Sequence, residues 1–565
     1  MIMALEEQTS TQRITETKRL NIRYLPVSKY RDVLALQHAL MKSKSSYLIL
    51  LEHNHVYTAG VRTKQEHILL SDLSEVGAEL IKADRGGDVT YHGPGQLVGY
   101  FITDVKLAPN AIPEHVYKLE SLVIDVLEEI AVKTHNADKG GLSFIRRDGF
   151  PGVWVLTPTG EITKICSVGV RVSKGRSMHG FALNVSPDMS MFSHIVPCGI
   201  ADYKVTSLNL LGYDCGVDEV AGIFIEKARQ LVGEDFEITL QSRPLRSGEK
   251  IIDQKAESRA AARLQSAGVE LSSAVKISAK KPEWLRAKLS TEKNFFSSYS
   301  TVRSNNLVTV CEEAGCPNIS ECWSDGTATF MINGDRCTRS CGFCLVDTRK
   351  PFPTDPTEPD RVAKAVYEMK LEHAVITTVA RDDLPDGGAE AFAKTIKAIR
   401  DKCPGTTVEV LISDCKGDQK ALNTIFDAHP DVLNHNIETV LRLQGAVRPQ
   451  ASYARSLAVL SLAKSAGLIT KSSLMIGLGE TDDEIMHTLV DLSNIGVSIV
   501  TIGQYLRPTS SHLPVYRWYS PEEFQGIKAK ADSLGFDHVE CSPLTRSSYH
   551  AKQAVAHAKD SYIAV

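Results

Sequence analysis

No stretch of this 565-residue chain approaches the roughly 20 consecutive apolar residues that a membrane-spanning helix needs. Basic residues are not in surplus: 64 Lys and Arg stand against 68 Asp and Glu, and the formal net charge is −4. The basic footprint of a nucleic-acid binder is therefore missing. The first twenty residues, MIMALEEQTSTQRITETKRL, contain acidic side chains and lack an apolar secretory core, so neither a signal peptide nor a transit peptide is expected there. Hydrophobic residues at 43% and charged residues at 23% are an ordinary globular balance, and the length exceeds what one core supports, so two or more domains are expected.

A further absence is more telling. Six of the twelve cysteines lie in residues 311–344, CEEAGCPNISECWSDGTATFMINGDRCTRSCGFC, as two groups of three. Cys311, Cys316 and Cys322 are separated by four and five residues; Cys337, Cys341 and Cys344 by three and two. Neither group has a fourth thiolate, whereas structural zinc usually closes its tetrahedron with four protein ligands. A cube-shaped iron–sulfur cluster has four irons, so three cysteines leave one iron open to another ligand. A zinc knuckle or free core thiols is the competing reading of the Cys337 triplet alone. Clustered thiols meant for iron would be lost to disulfides in an oxidising compartment, so a cytoplasmic location is expected, with an organelle still open.

The spacing Cys-x3-Cys-x2-Cys at Cys337 matches the signature of the radical S-adenosylmethionine (SAM) enzymes. With CEEAGCPNISEC ahead of it and RSSYHA near the C-terminus, residues 280 to about 555 resemble lipoyl synthase. The resemblance implies two 4Fe-4S clusters and SAM as cofactors. Cys337, Cys341 and Cys344 would hold the cluster whose open iron binds SAM. Cys311, Cys316, Cys322 and Ser548 would hold an auxiliary cluster that donates sulfur. Gly387 and Gly388 in DLPDGGAE resemble the glycine-rich segment near the SAM amino group. Glu409, Asn434, Asn436, Glu438 and Arg448, at or just past strand ends, are candidates to contact SAM or substrate, as are Lys471 and Arg507; each alone also reads as a solvated loop residue. Six apolar strand segments (ATFMI, HAVITTV, TVEVLIS, VLNHNIE, KSSLMIGLG, VSIVTIGQYL) with helices between several of them predict a partial (β/α)6 barrel, whose sites gather at the strand C-terminal ends.

Residues 20–240 read differently. LNIRYLP, SYLILLEHN, GVWVLT, KICSVGVRV and GFALNV have strand patterns. RDVLALQHALM and EHVYKLESLVIDVLEEIAV have helical spacing, with Val33, Leu36 and Leu40 on one stripe and Val116, Leu119, Val123, Val126, Leu127 and Ile130 on the other. Strict alternation is absent, which favours an α+β domain. RGGDVTYHGPGQ is a glycine-rich loop that reads equally as a surface turn. Lys164 lies among apolar neighbours on a strand, where burial weakens an ammonium's hold on its proton; a snorkelling surface lysine is the alternative. Cys198, in IVPCGI, is a lone cysteine at a tight turn, or else an inert buried thiol.

Together RGGDVTYHGPGQ, KICSVGVRV, MHGFALNV and PCGI resemble the octanoyltransferase of the biotin/lipoate ligase-like fold. The resemblance makes Cys198 and Lys164 the catalytic pair. It puts Arg85, Gly86, Gly87, Asp88, Val89, Thr90, Tyr91 and His92, with Ser167, Val168, Gly169, Gly180, Phe181 and Ala182, around the acyl chain. Asp88 departs from the glutamine expected there. The expected organisation is an N-terminal tail 1–19, an octanoyltransferase domain 20–240, a polar linker 241–279 with a helix near AESRAAARLQSA, and a lipoyl synthase domain 280–565.

The implied function is lipoate assembly in two steps: octanoyl transfer through a Cys198 acyl-enzyme, then insertion of two sulfurs at C6 and C8. Implied partners are octanoyl-acyl-carrier protein, the lipoyl domains of 2-oxoacid dehydrogenase E2 subunits and of the glycine cleavage H protein, and an electron donor such as ferredoxin or flavodoxin. Three alternatives stand beside it: one inactive half, another radical-SAM sulfur insertion such as that of biotin synthase or the methylthiotransferases, and a cluster-carrying scaffold.

Overall fold

The computed structural model describes residues 18–563 apart from 107, 134–140, 200–203, 233–235, 242–258, 287–292, 314–315 and 325–327. Residues 1–17 of the expected tail, 242–258 of the expected linker and Ile200 of the PCGI motif thus lie outside the described residues. No helix among the described residues is long and apolar enough to cross a membrane.

The N-terminal domain is built on a mixed eight-stranded sheet. Its spatial order is Phe236–Leu240, Lys18–Tyr24, Ser46–Leu51, Gln96–Ile102, Arg176–Asn184, Ile162–Ser173, Gly152–Leu156 and Ser143–Ile145. The first two pairings are parallel and the rest antiparallel. SYLILL is buried along its whole length because both faces of the sheet are covered. Helix Ala111–Lys133 lays Leu119, Val123, Val126, Leu127 and Ile130 on one face, joined by Phe181 and Phe224. A smaller three-stranded sheet, Glu79–Lys82, Val56–Ala59 and Thr90–His92, takes in the middle of the glycine-rich stretch.

The C-terminal domain carries seven parallel strands in sequential order, preceded by an antiparallel edge pair at Val308–Thr309. They are Ala328–Ile332, His373–Thr378, Thr407–Leu411, Val432–Asn434, Ile469–Ile476, Ile499–Gln504 and His538–Cys541. A helix fills each crossover, as a parallel pairing requires. Thr481 and Ser520 each close a capping box at the start of two of these helices. Six strands were expected. The seventh, HVEC, is four residues long with a buried residue only at alternate positions, too weak a pattern to be read as a strand alone. Among the described residues no pairing joins the two ends of the sheet, so the barrel is partial.

The two sheets share a core. Val33, Leu36 and Leu40 of helix Tyr30–Leu40 belong to one apolar cluster with Tyr453, Leu457 and Leu460 of helix Tyr453–Ser465. Residues 453–461 of that second helix are buried without a break, because its own sheet covers one side and the N-terminal domain the other. The helix expected inside the linker is present at Arg259–Ser266. Its Leu264 and, just past its end, Val269 join the same cluster, and Arg442 Nη1 donates to the Ala267 carbonyl at 2.7 Å.

Candidate active sites

In the N-terminal domain, strand Ile162–Ser173 and the turn at Pro197–Gly199 bring two side chains together. Lys164 Nζ donates to Cys198 Sγ at 3.6 Å, and Ser167 Oγ lies 3.6 Å from the same sulfur. Cys198 has φ +59°, a left-handed conformation that costs a side-chain-bearing residue on the order of 1 kcal/mol. Its N–H donates to Val89 O at 2.9 Å, which ties the turn to the glycine-rich loop. Lys164 is 5% exposed, with Nζ 5.1 Å from the Trp154 ring centre. Gly152 makes room for it: a Cβ there would stand 2.3 Å from Cys166 O and 2.7 Å from Lys164 Cε, at φ +127°. Burial pushes the Cys198 thiol up. The Lys164 charge, the Ser167 hydroxyl and the Arg85 charge outweigh it, and the net result is a thiol below its ordinary value.

The loop residues form the surroundings. Arg85 is buried, with Nε and Nη2 donating to Thr58 Oγ1 at 3.2 and 2.8 Å and Nη2 to Thr58 O at 2.6 Å. Gly86 N–H donates to Val170 O across to the Lys164 strand. Asp88 accepts from His67 Nδ1 at 2.6 Å and from Val89 N–H at 2.6 Å. His92 bonds Gln96 Oε1 at 2.7 Å and stacks on Tyr30; burial holds its imidazole well below the ordinary range, hence neutral. Thr90 and Tyr91 are buried on the small sheet. Ser167 pairs with Ala182, Val168 with Phe181 and Gly169 with Gly180 across one antiparallel ladder, so both predicted segments occupy adjacent strands.

Two further buried residues, one beside this pair and one next to the Arg85 loop, escaped the sequence reading. Glu120 accepts from Gly152 N–H at 2.7 Å and exerts its charge on Lys164; burial pushes its carboxyl up, while Gly152, Arg146 and Lys164 oppose. Its signal was a glutamate on the otherwise apolar stripe of its helix. His179, at φ +64°, bonds Asp84 at 2.8 Å and donates its N–H to Gln37 Oε1 at 2.8 Å.

In the C-terminal domain a cavity of about 560 Å³ opens at the C-terminal ends of the strands. All six clustered cysteines and Ser548 line it. The Cys337 loop follows strand Ala328–Ile332, and Cys337 Sγ accepts N–H groups of Arg339 at 3.4 Å and Ala380 at 3.3 Å. His512 Nε2 donates to Cys344 O at 2.9 Å. The Ser548 segment is brought in by Asn318 Nδ2, which donates to Leu544 O at 2.7 Å, and by the absence of a side chain at Gly503, whose Cβ would stand 2.0 Å from Thr545 O. Burial pushes the thiols of Cys311 to about 11 and Cys344 to about 12, and raises those of Cys316 and Cys341.

Buried thiols that hold their protons this tightly release them when a positive ion takes over the sulfur. Six soft sulfur donors and one hydroxyl suit iron–sulfur chemistry. Among the described residues no three such side chains meet at one point for a single metal ion; the irons of a cube take thiolates one apiece, so their ligands stand further apart. The residues present therefore fit a cluster.

Of the other expected residues, Asn436, Glu438, Arg448 and Arg507 line the cavity. Arg448 Nη1 donates to Asn436 O at 3.0 Å, and Asn436 Nδ2 to Glu438 Oε1 at 3.1 Å. Gly387, Gly388, Glu409, Asn434 and Lys471 are not part of its lining. Glu409 is fully buried and accepts Lys471 Nζ at 3.0 and 3.1 Å and Asn434 Nδ2 at 3.0 Å, an internal ion pair reaching across strand Val432–Asn434, which lies between the two strands that carry it. Gly387 and Gly388 lead into helix Ala389–Lys402. The lining also includes Arg546, which burial makes a weaker base and whose charge faces Cys316; RSSYHA contained it, but only the serine drew attention.

Residues 29–229 match the family model of the lipoyl protein ligase A/B catalytic domain, and residues 331–492 that of the radical SAM superfamily. The lipoyl synthase of Rubrobacter xylanophilus is 56% identical over 281 residues, covering 49% of this chain and 88% of the relative. That of Oceanobacillus iheyensis is 53% identical over 282 residues, covering 49% and 90%. The bi-partite lipoate protein ligase of Thermoplasma acidophilum superposes with TM-score 0.33 and 18% identity over 40% of this chain and 88% of that one. The chain joins an N-terminal lipoyl protein ligase A/B catalytic domain to a C-terminal half that belongs to the lipoyl synthase family.

Proposed function

We propose that this is a bifunctional enzyme of lipoate assembly, with an octanoyltransferase in residues 20–240, a linker in 241–279 and a lipoyl synthase in 280–565. Support for the first activity comes from the Lys164–Cys198 contact at 3.6 Å beside a glycine-rich loop. The Cys198 thiolate attacks the thioester carbonyl of octanoyl-acyl-carrier protein. A new C–S bond forms, the bond to the carrier's thiol breaks, and the departing sulfur takes a proton from Lys164. The amine of the acceptor lysine, losing a proton to Lys164, then displaces Cys198 and leaves an amide. Thioester exchange is nearly neutral and amide formation is downhill, so no ATP is consumed. Arg85 and Ser167 favour the thiolate, and the segments Arg85–His92, Ser167–Gly169 and Gly180–Ala182 enclose the acyl chain.

The observation that carries the second activity is the convergence of six cysteines and Ser548 on one cavity. Cys337, Cys341 and Cys344 would hold one 4Fe-4S cluster, and Cys311, Cys316, Cys322 and Ser548 a second. When bound, the clusters and SAM supply the radical chemistry and the sulfur that unactivated C6 and C8 positions demand. The chain's own residues orient and shield: Arg448 and Arg546 offset thiolate charge, while Asn436 and Glu438 present polar groups to the cavity. Gly387 and Gly388 remain candidates for the SAM-binding segment, and Glu409 and Asn434 act from beneath it. Acceptors are lipoyl domains of 2-oxoacid dehydrogenase E2 subunits and the glycine cleavage H protein, with a ferredoxin or flavodoxin as electron donor, in the cytoplasm.

The test is mass spectrometry of a lipoyl-domain acceptor incubated anaerobically with cluster-reconstituted protein, octanoyl-acyl-carrier protein, SAM and reductant. Octanoylation followed by two-sulfur addition is expected. Cys198→Ala should block both, and Cys341→Ala should stop at octanoyl. Sulfur addition only to acceptor octanoylated beforehand would refute the transferase assignment. An unmodified acceptor despite confirmed SAM cleavage would refute the lipoyl substrate.

A further inference from the structure

The two domains are joined by a charged relay as well as by shared apolar packing. Asp32, on helix Tyr30–Leu40 of the N-terminal domain, is buried and accepts Arg455 Nε at 3.0 Å and Nη2 at 2.8 Å. The remaining arm of the same guanidinium, Nη1, donates to Asp414 Oδ2 at 3.1 Å. The other oxygen of Asp414 accepts Arg339 Nη2 at 2.6 Å. Arg339 also forks onto Asp382, with Nε at 2.8 Å and Nη2 at 2.9 Å. It stands between Cys337 and Cys341, and its own N–H donates to Cys337 Sγ. Negative and positive groups therefore alternate from the first domain to the cysteine loop of the second: Asp32, Arg455, Asp414, Arg339, Asp382.

Burial makes this relay directional. Asp414 is fully buried, and Arg455, Arg339 and Asp32 are each under 10% exposed. A buried guanidinium needs partners on its whole fork, and one left half-paired pulls on whatever carboxylate remains. Without Asp32, Arg455 would have Asp414 alone, and Asp414 shares with Asp382 the orientation of Arg339. The same helix also reaches the other site, where Tyr30 stacks on His92 and Gln37 accepts the His179 N–H. Elsewhere on this interface, Asp491 accepts a bidentate Arg23 and the hydroxyls of Tyr47 and Tyr453, none of which belongs to the cysteine loop. It provides an internal control.

We infer that helix Tyr30–Leu40 of the N-terminal domain is a structural part of the radical SAM site, and that Asp32 is a positioning residue setting the Cys337–Cys344 loop through Arg455, Asp414 and Arg339. The inference rests on assigning those cysteines as cluster ligands, yet it is tested without relying on turnover. Hydrogen exchange of the full chain, iron-free and reconstituted, is compared for wild type, Asp32→Asn, Asp32→Glu and Asp491→Asn. Asp32→Asn should speed exchange across residues 337–344 at least about tenfold and weaken cluster retention by about tenfold or more, the range seen when groups behind metal ligands are lost. Octanoyl transfer should stay within about twofold of wild type. Asp32→Glu, which keeps the carboxylate, should restore much of the protection. Asp491→Asn should loosen strand Lys18–Tyr24 and helix Asp482–Asn494 but leave 337–344 unchanged. Unchanged exchange at 337–344 in Asp32→Asn, or equal acceleration in Asp491→Asn, would overturn the relay. If Asp32→Asn does not yield folded protein, Arg455→Lys, which keeps the charge but loses the fork, carries the same comparison. Absence of sulfur insertion in the wild type as well, with the exchange pattern as expected, would instead count against the proposed function alone.

Discussion

Replacing Lys164 with methionine removes one positive charge 3.6 Å from Cys198 Sγ while keeping most of the side-chain volume. At that distance a unit pair is worth about 1 kcal/mol under bulk-water screening and about 5 kcal/mol at the effective screening of a protein site. Lys164 is buried and Cys198 partly so, which places the interaction between these limits. The thiolate therefore becomes rarer at neutral pH, by roughly fivefold at the lower limit and far more at the upper. A more basic thiolate is also a better nucleophile, with a Brønsted slope of about 0.4–0.5, which recovers nearly half of the loss on a logarithmic scale. Alkylation of Cys198 by neutral iodoacetamide at pH 7 should slow between about threefold and a hundredfold, and the rate–pH curve should move to higher pH. Peptide mass spectrometry isolates this cysteine from the other eleven. Lys164→Arg, which retains charge, should fall between the two. A Lys164→Met curve that superposes on wild type would refute the idea that this lysine sustains the thiolate.

Gly503→Ala puts a methyl group 2.0 Å from Thr545 O, which must displace the Ser548 segment; bound iron should fall by about half in a reconstituted sample, with the SAM-dependent spectroscopic signal of the Cys337 cluster retained. Breaking a buried ion pair by removing one partner costs about 3–5 kcal/mol, so Asp491→Ala, which orphans buried Arg23, should lower the melting temperature by several degrees in a thermal scan. Glu409 tests acid stability. Burial alone would raise its carboxyl, but Lys471, His373 and Asn434 bring it down to about 2. A depressed carboxylate contributes stability that is present above its unfolded value near 4.5 and lost as pH falls from there through about 2. The difference is about 3 kcal/mol, so urea midpoints measured between pH 5 and 2.5 should fall less steeply in Glu409→Gln than in wild type; identical slopes would contradict this.

The sequence carried the chemistry where the relevant residues are close together or motif-bound. CEEAGCPNISEC, CTRSCGFC and RSSYHA pointed to the family that the curated relatives show, and RGGDVTYHGPGQ with KICSVGVRV to the ligase-type domain. The parallel strands and their helices were legible because apolar segments of five to ten residues between 3.6-period stretches leave few other arrangements. HVEC was not, since four residues with alternate burial carry little pattern.

Which side chain faces the cavity was a different matter. Along a parallel strand, successive residues point to opposite faces, and the depth of a residue depends on register with its neighbours. Glu409 pairs across from Val432 and Val375, deep in the sheet, and so finds Lys471 and not the cavity, while Asn436 and Glu438, just beyond the strand end, reach it. Local sequence holds no record of that depth. Nor does it record that Asp32, on an ordinary amphipathic helix, meets Arg455 more than four hundred residues later. A surface carboxylate and an interface carboxylate have the same neighbours in the chain, and only the packing of one domain on the other separates them. The sequence by itself determined the reactive residue types, the family and the order of the elements. The tertiary structure alone decided which of those residues share a cavity and that the two halves share one core, because both depend on contacts between segments far apart along the chain.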